Sequence, residues 1–191
     1  MKLFFNKPSP YARKVRVVAH EKGLADRIEW CEIDPWSDPP ELLAASPLGK
    51  VPALVADDGT LVTESMLIAE YLDAVGNEPS LLTGDAPKIR ARVALAQGLI
   101  DASFGMVIER RRPEARQWDA WIERLCRAVD RTLPRLEVAE SRFDLGDISA
   151  ACALAYLDFR LPEIRWRESH GRLATWLDRA NQRSSMVATK A

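Results

Sequence analysis

Ser9-Pro10-Tyr11-Ala12-Arg13-Lys14, directly after the apolar run Lys2-Leu3-Phe4-Phe5, is the stretch that decides the fold. The run over 2–5 fits a short buried strand. From Pro10 onward Tyr11, Val15, Val18 and Ala19 recur at helical spacing. Pro10 suits the first helical position, where its missing N–H would have no partner anyway. Ser9 is then the natural N-cap and Gly23 the stop, so the pattern predicts a helix over 10–22.

The chain continues in the same alternation. Residues 28–33 carry strand formers and end at Asp34-Pro35, and the three prolines within 35–40 demand a loop, followed by a short helix. Two strands over 53–56 and 60–62 are joined through Asp57-Asp58-Gly59, a hairpin signal because the turn needs positive φ. A helix over 65–75 then stops at Gly76-Asn77. The order strand, helix, strand, helix, strand, strand, helix makes residues 1–76 a compact α/β unit. Residues 77–87 are rich in Pro, Ser, Thr, Gly and Asp and read as a linker.

Beyond the linker the pattern is helical throughout, so 88–191 reads as an all-helical domain. Helices are expected over 89–111, over 114–140 (with Pro134 able to kink or end it), as an apolar helix introduced by 143–148 and running to Phe159, and over 170–182. Asp144 and Asp147 precede the third of these as an N-cap and N3 pair, close to a capping box with acids in both places.

Composition narrows the function. A hydrophobic share of 47% and a charged share of 29% are those of a globular protein with a sizeable core, and 191 residues allow one large domain or two modest ones. A formal net charge of −1 gives no electrostatic ground for nucleic acid or anionic lipid as a partner. Arg110-Arg111-Arg112 is flanked by Glu109 and Glu114 and reads as a solvated helix end. No run approaches membrane-spanning length and Met1-Lys2-Leu3-Phe4-Phe5 is too short for a signal peptide, so a cytoplasmic location and no membrane are expected. Cys31, Cys126 and Cys152 are odd in number and widely spaced, and read as small buried hydrophobes. With only His20 and His170 beside them, no metal site is expected.

Two later segments, Gly49-Lys50-Val51-Pro52-Ala53-Leu54 and Thr63-Glu64-Ser65-Met66-Leu67-Ile68-Ala69-Glu70-Tyr71-Leu72, complete a set with the Ser9 stretch. Taken in order, the three resemble the N-terminal half of a glutathione transferase with serine as the catalytic residue. The subgroup that the chain looks most like is the small bacterial transferase-like proteins. Asp144-x-x-Asp147 before an Ala-rich helix is similar to the family's helical-domain capping motif, with Asp144 where Ser or Thr is usual.

The resemblance implies a thioredoxin-like α/β domain followed by an all-α helical-bundle domain, and glutathione as co-substrate. It also implies a small hydrophobic electrophile as second substrate, a homodimer and a role in detoxification. Ser9 would stabilise the glutathione thiolate. Val51 would offer its backbone to the cysteinyl part beside a cis Pro52, and Glu64 and Ser65 would hold the γ-glutamyl end. Lys50 and the 34–40 loop with Trp36 are candidates for the glycyl end, and Asp101 for the γ-glutamyl amine. The electrophile pocket, expected between the domains, would be lined by Phe5, Pro8, Phe104, Val107, Ile108 and Arg111, the last four on one helix face.

Each of these residues also has a plainer reading. Ser9 and Ser65 are ordinary helix caps, Pro52 an ordinary strand-start proline, and the apolar set core. Position 9 holds neither Cys nor Tyr, which argues against a mixed disulfide or a phenol as the main chemistry; Tyr11 is the nearest alternative donor. Two other activities stay open: a glutathione-dependent peroxidase or isomerase at the same site, and a non-catalytic interaction protein on the transferase fold.

Overall fold

The computed structural model describes residues 1–140 and 142–191. They form two compact units, Met1–Leu81 with Arg183–Ala191, and Leu82–Gln182.

The first unit is a thioredoxin-like domain. Its elements are β1 (Lys2–Phe5), α1 (Pro10–Glu21), β2 (Glu29–Glu32), α2 (Pro40–Ala45), β3 (Ala53–Val55), β4 (Leu61–Thr63) and α3 (Ser65–Val75). The sheet runs β2-β1-β3-β4, with β1 and β2 parallel and the other two pairs antiparallel. Side chains alternate across it. Phe4 packs with Leu42, Ala45 and Ala53 under α2. Phe5 faces the other way, where the Arg16 guanidinium of α1 lies 4.7 Å over its ring. Leu3, Val15, Val18, Leu54, Ile68 and Leu72 have no exposed surface and form the core.

Where α1 ends, Lys22 is only 1% exposed, and its ammonium meets the Asp73 carboxylate of α3 at 3.1 Å. The same ammonium donates to the carbonyls of Glu78 and Pro79. Part of the expected linker is thereby fastened to the first unit. Gly76 is required at this junction, since a Cβ there would stand 2.7 Å from the Lys22 side chain.

The second unit is helical: α4 (Ala86–Glu109), α5 (Asp119–Thr132), α6 (Leu145–Arg160), α7 (Trp166–Ser169) and α8 (Gly171–Ala180). Every residue from Leu145 to Leu154 is buried, so α6 is enclosed on all sides within the helical unit. Asp144 and Asp147 form the expected capping box. The Asp147 N–H donates to Asp144 Oδ1 and the Asp144 N–H to Asp147 Oδ2, both at 3.1 Å. Arg92 of α4 adds ion pairs to both carboxylates. Burial pushes the Asp147 carboxyl up to about 6, against hydrogen bonds from Ala139 and Asp144 and the pull of Arg92.

Several expectations are corrected. Contrary to the reading of the sequence, α4 is long and apolar enough by length and composition to cross a bilayer. In this structure it buries Ile89, Val93, Ala96, Leu99, Ile100 and Met106 within the helical unit. The helix expected over 114–140 is shorter: 3-10 turns at Glu114–Arg116 and Leu133–Arg135 bracket α5, and Pro134 sits in the second. Helix α4 starts at Ala86, capped by Asp85, inside the expected linker. Residues Arg183–Ala191, placed by sequence in the helical domain, belong with the first unit and contain a short helix, α9 (Ser184–Ala188). Of the three free thiols only Cys152 is fully buried; Cys31 and Cys126 are half-buried.

Candidate active site

Sheet register gathers the sequence-predicted residues of the first unit. Phe4 pairs with Ala53, Ala53 with Thr63, and Phe5 with Glu32. The ends of β1, β2 and β4 and the start of β3 therefore lie at one end of the sheet. The segments that leave them are 6–9, 33–40, 50–52 and 64–65, which carry Ser9, Trp36, Lys50, Val51, Pro52, Glu64 and Ser65. Asn6 joins two of them by donating from Nδ2 to the Ile33 carbonyl at 3.0 Å.

Ser9 is the N-cap of α1, with extended backbone, and its Oγ accepts from the Ala12 N–H at 3.2 Å. That bond uses an acceptor site of the hydroxyl and leaves its proton to be donated. Ser9 is half-buried. The Val51–Pro52 bond is cis, with Pro52 buried and Val51 half-buried.

Glu64 sits at φ 68°, ψ 120°, immediately before α3. A non-glycine residue in this region is strained, and such strain clusters where backbone meets ligand. Ser65 follows as the first residue of α3, 2% exposed, and its Oγ is buried with no hydrogen-bond partner. A buried hydroxyl without a partner costs about 1–3 kcal/mol. A ligand carboxylate at the α3 N-terminus would supply the acceptor, so the residues present fit an anionic peptide end.

The remaining candidates are placed as follows. Lys50 and Trp36 are exposed, Trp36 by 63%. Tyr11 and Pro8 are half-buried. Phe5 is a core residue, 6% exposed, with its ring edge-on to Trp30 at 6.0 Å.

Two family models match the chain. The glutathione S-transferase N-terminal domain family matches residues 8–75, and the C-terminal domain family matches residues 119–179. The Escherichia coli K12 protein YibF, described as an uncharacterized GST-like protein, is 30% identical over 200 residues, covering 100% of this chain and 98% of its own. The chain belongs to the glutathione S-transferase family.

Two solved structures of glutathione transferase family members from Pseudomonas fluorescens Pf-5 are similar over the whole chain. One, with bound glutathione, is 38% identical with a TM-score of 0.91, covering 99% of this chain and 98% of the other. The second, with bound S-(propanoic acid)-glutathione, is 36% identical with a TM-score of 0.87, covering 100% and 98%.

In this transferase-family chain Phe104, Val107 and Ile108 are half-buried on α4, and Arg111 follows its end, exposed. Asp101, on the same helix, is exposed and accepts from Gln97 at 3.1 Å. Burial raises the Tyr156 phenol of α6 above its ordinary value, while the charges of Arg160 and Arg111 pull it down. Sequence reading passed over Asn6 and the backbone of Glu64. Only the position of Glu64, between a strand and a helix opened by Ser65, pointed to it.

Proposed function

We propose that the protein is a glutathione transferase in which Ser9 holds the glutathione thiolate for attack on a small hydrophobic electrophile. The observation that carries the reading is the Ser9 hydroxyl, oriented at the start of α1 by the Ala12 N–H with its proton free to donate.

Magnitudes agree with the role. A free thiol of pKa about 8.5 is only about 3% ionised at pH 7. Lowering that value by two takes about 2.7 kcal/mol and makes the thiolate the majority species. A hydrogen bond to a charged acceptor contributes about 1.5–3 kcal/mol, and a helix N-terminus about 0.3–1 kcal/mol. Ser9 at the head of α1 offers both.

Around the sulfur, the Val51 backbone beside Pro52 would pair with the cysteinyl unit. Ser65 and the opening N–H groups of α3 would bind the γ-glutamyl carboxylate, the Glu64 carboxylate its amine, and Lys50 the glycyl end. The thiolate sulfur then forms a bond to an electrophilic carbon. The displaced group leaves with its electron pair, or, at an activated alkene, the neighbouring carbon takes a proton.

The Pseudomonas fluorescens relative held S-(propanoic acid)-glutathione, whose sulfur already carries a carbon substituent. That supports conjugation at this site. We read the chain as a serine-type bacterial member acting as a cytoplasmic homodimer. The exposed Leu48, Leu67 and Trp118 give apolar surface to such an assembly.

Assay of wild type and Ser9→Ala with an aryl halide under saturating glutathione tests the reading. The variant is expected to lose most of kcat near pH 7 and to recover part of it as pH rises above the free thiol pKa. Equal rates at every pH would remove Ser9 from the mechanism.

A further inference from the structure

The segment Arg183–Ala191 lies along α1, the helix that Ser9 opens. Arg13, one turn after Ser9, donates from Nη2 to the Met186 carbonyl at 3.3 Å. Arg16 donates to the carbonyls of Thr189 and Ala188 at 3.3 and 3.4 Å. At the far end of the helix, Glu21 receives a two-pronged bond from Arg183 at 3.0 and 2.8 Å and a third from the Ser185 hydroxyl. Ser185, Met186 and Thr189 are each 2% exposed or less, so the segment is packed down rather than draped over the surface.

The charge pattern of α1 gives these contacts a consequence. Its first turn holds no acid, and Arg13, Lys14 and Arg16 follow within the next two turns, Lys14 and Arg16 both buried. A helix N-terminus already carries partial positive charge, so cations there oppose the dipole and cost stability unless something holds them. Carbonyl oxygens orient a guanidinium without cancelling its charge. Arg13 also keeps a buried Nε with no partner. The positive charge at the start of α1 is thus reinforced one turn beyond the Ser9 hydroxyl.

We propose that Arg183–Ala191 is a positioning element for the proposed thiolate site: through Arg13 and Arg16 it fixes the first turns of α1, and the field of Arg13 lowers the glutathione thiol pKa beyond what Ser9 achieves. The inference rests on the reading that Ser9 meets the thiolate. Opposite charges brought close typically move a pKa by one unit or more, whereas a group held loosely in water moves it far less.

The test measures thiolate absorbance against pH on glutathione complexes of wild type, Arg13→Gln, a chain ending at Gln182, and the two changes combined, with melting temperature recorded for each. Arg13→Gln and the shortened chain are each expected to raise the thiol pKa by about one, and the combination to add little more, because both remove the same effect. A shortened chain that melts lower but keeps the wild-type thiol pKa overturns the proposal and leaves the segment purely structural.

Should the shortened chain fail to fold, Arg183→Gln carries the same test through the Glu21 contact. A rise in thiol pKa is expected, restored by Arg183→Lys, and an unmoved value overturns the proposal. If wild type itself leaves bound glutathione at its free pKa, the Ser9 reading falls and the positioning role with it.

Discussion

Two serines carry the account at the scale of single residues, and they behave oppositely on removal. Ser9 Oγ caps α1 through Ala12, so Ser9→Ala removes a helix cap as well as the proposed thiolate donor. It is expected to cost about 0.5–2 kcal/mol of stability, and Ser9→Gly only a few tenths. Both variants should raise the bound thiol pKa by about 1–2, or about 1.4–2.7 kcal/mol. Calorimetric melting with thiolate titration checks this, since a shift that follows the melting loss rather than the hydroxyl would contradict it.

Ser65 has a buried hydroxyl without a partner, so Ser65→Ala removes an unpaired group. The free protein is expected to be as stable as wild type or more so, while glutathione affinity falls. A destabilised variant with unchanged affinity would show Ser65 to be an ordinary cap. Ser9, Pro52 and Ser65 were legible because Ser-Pro, Lys-Val-Pro and Glu-Ser mark element boundaries. The left-handed backbone of Glu64 was not, because glutamate carries no signature for positive φ. Nor was the bond of Arg13 to Met186, whose partner lies 173 residues away in sequence.

Junctions dominate at the scale of elements. Asp73 holds the Lys22 ammonium and also accepts from the Leu81 N–H at 2.8 Å and the Ser80 hydroxyl at 2.7 Å. Asp73→Ala strands a buried cation and is expected to cost about 3–5 kcal/mol in denaturant titration. A loss below 1 kcal/mol would mean that the pair is dispensable.

At the head of α6, the Asp147 carboxyl holds its proton in the folded state up to about 6. The unfolded chain releases that proton near 4. Folding stability is therefore expected to fall as pH rises across that window and to level off above it. Asp147→Asn should lower stability overall and flatten this part of the profile; denaturant titrations between pH 4 and 7 with equal slopes for both proteins would contradict the assignment.

Helices α1, α3 and α6 were readable from their caps and periodicity. The 114–140 stretch was over-read because its helical propensity runs on past α5. What ends the helix is the 3-10 turn around Pro134. What delays its start is the connector, in which Gln117 donates to the carbonyls of Arg110 and Arg112 and the Trp118 N–H to Glu109. Such tertiary bonds leave no periodic trace.

For the whole molecule, the strand–helix alternation was enough to give a compact α/β unit followed by a helical one, and the resemblance to glutathione transferases marked the first as thioredoxin-like. The return of Arg183–Ala191 to the first unit was not readable, because its bonds, from Arg13 and Arg16 to its carbonyls and from Arg183 and Ser185 to Glu21, join residues 162 or more apart in sequence. The central claim is that the end of the sheet carrying Ser9, Val51-Pro52 and Glu64-Ser65 binds and ionises glutathione. Calorimetric titration of wild type with reduced glutathione, followed by thiolate absorbance against pH on the complex, tests it most directly. The account predicts saturable binding and a thiol pKa below about 7.5. No binding at millimolar glutathione, or a bound thiol that still titrates near 8.5, would contradict it and leave a transferase fold put to a use other than thiol activation.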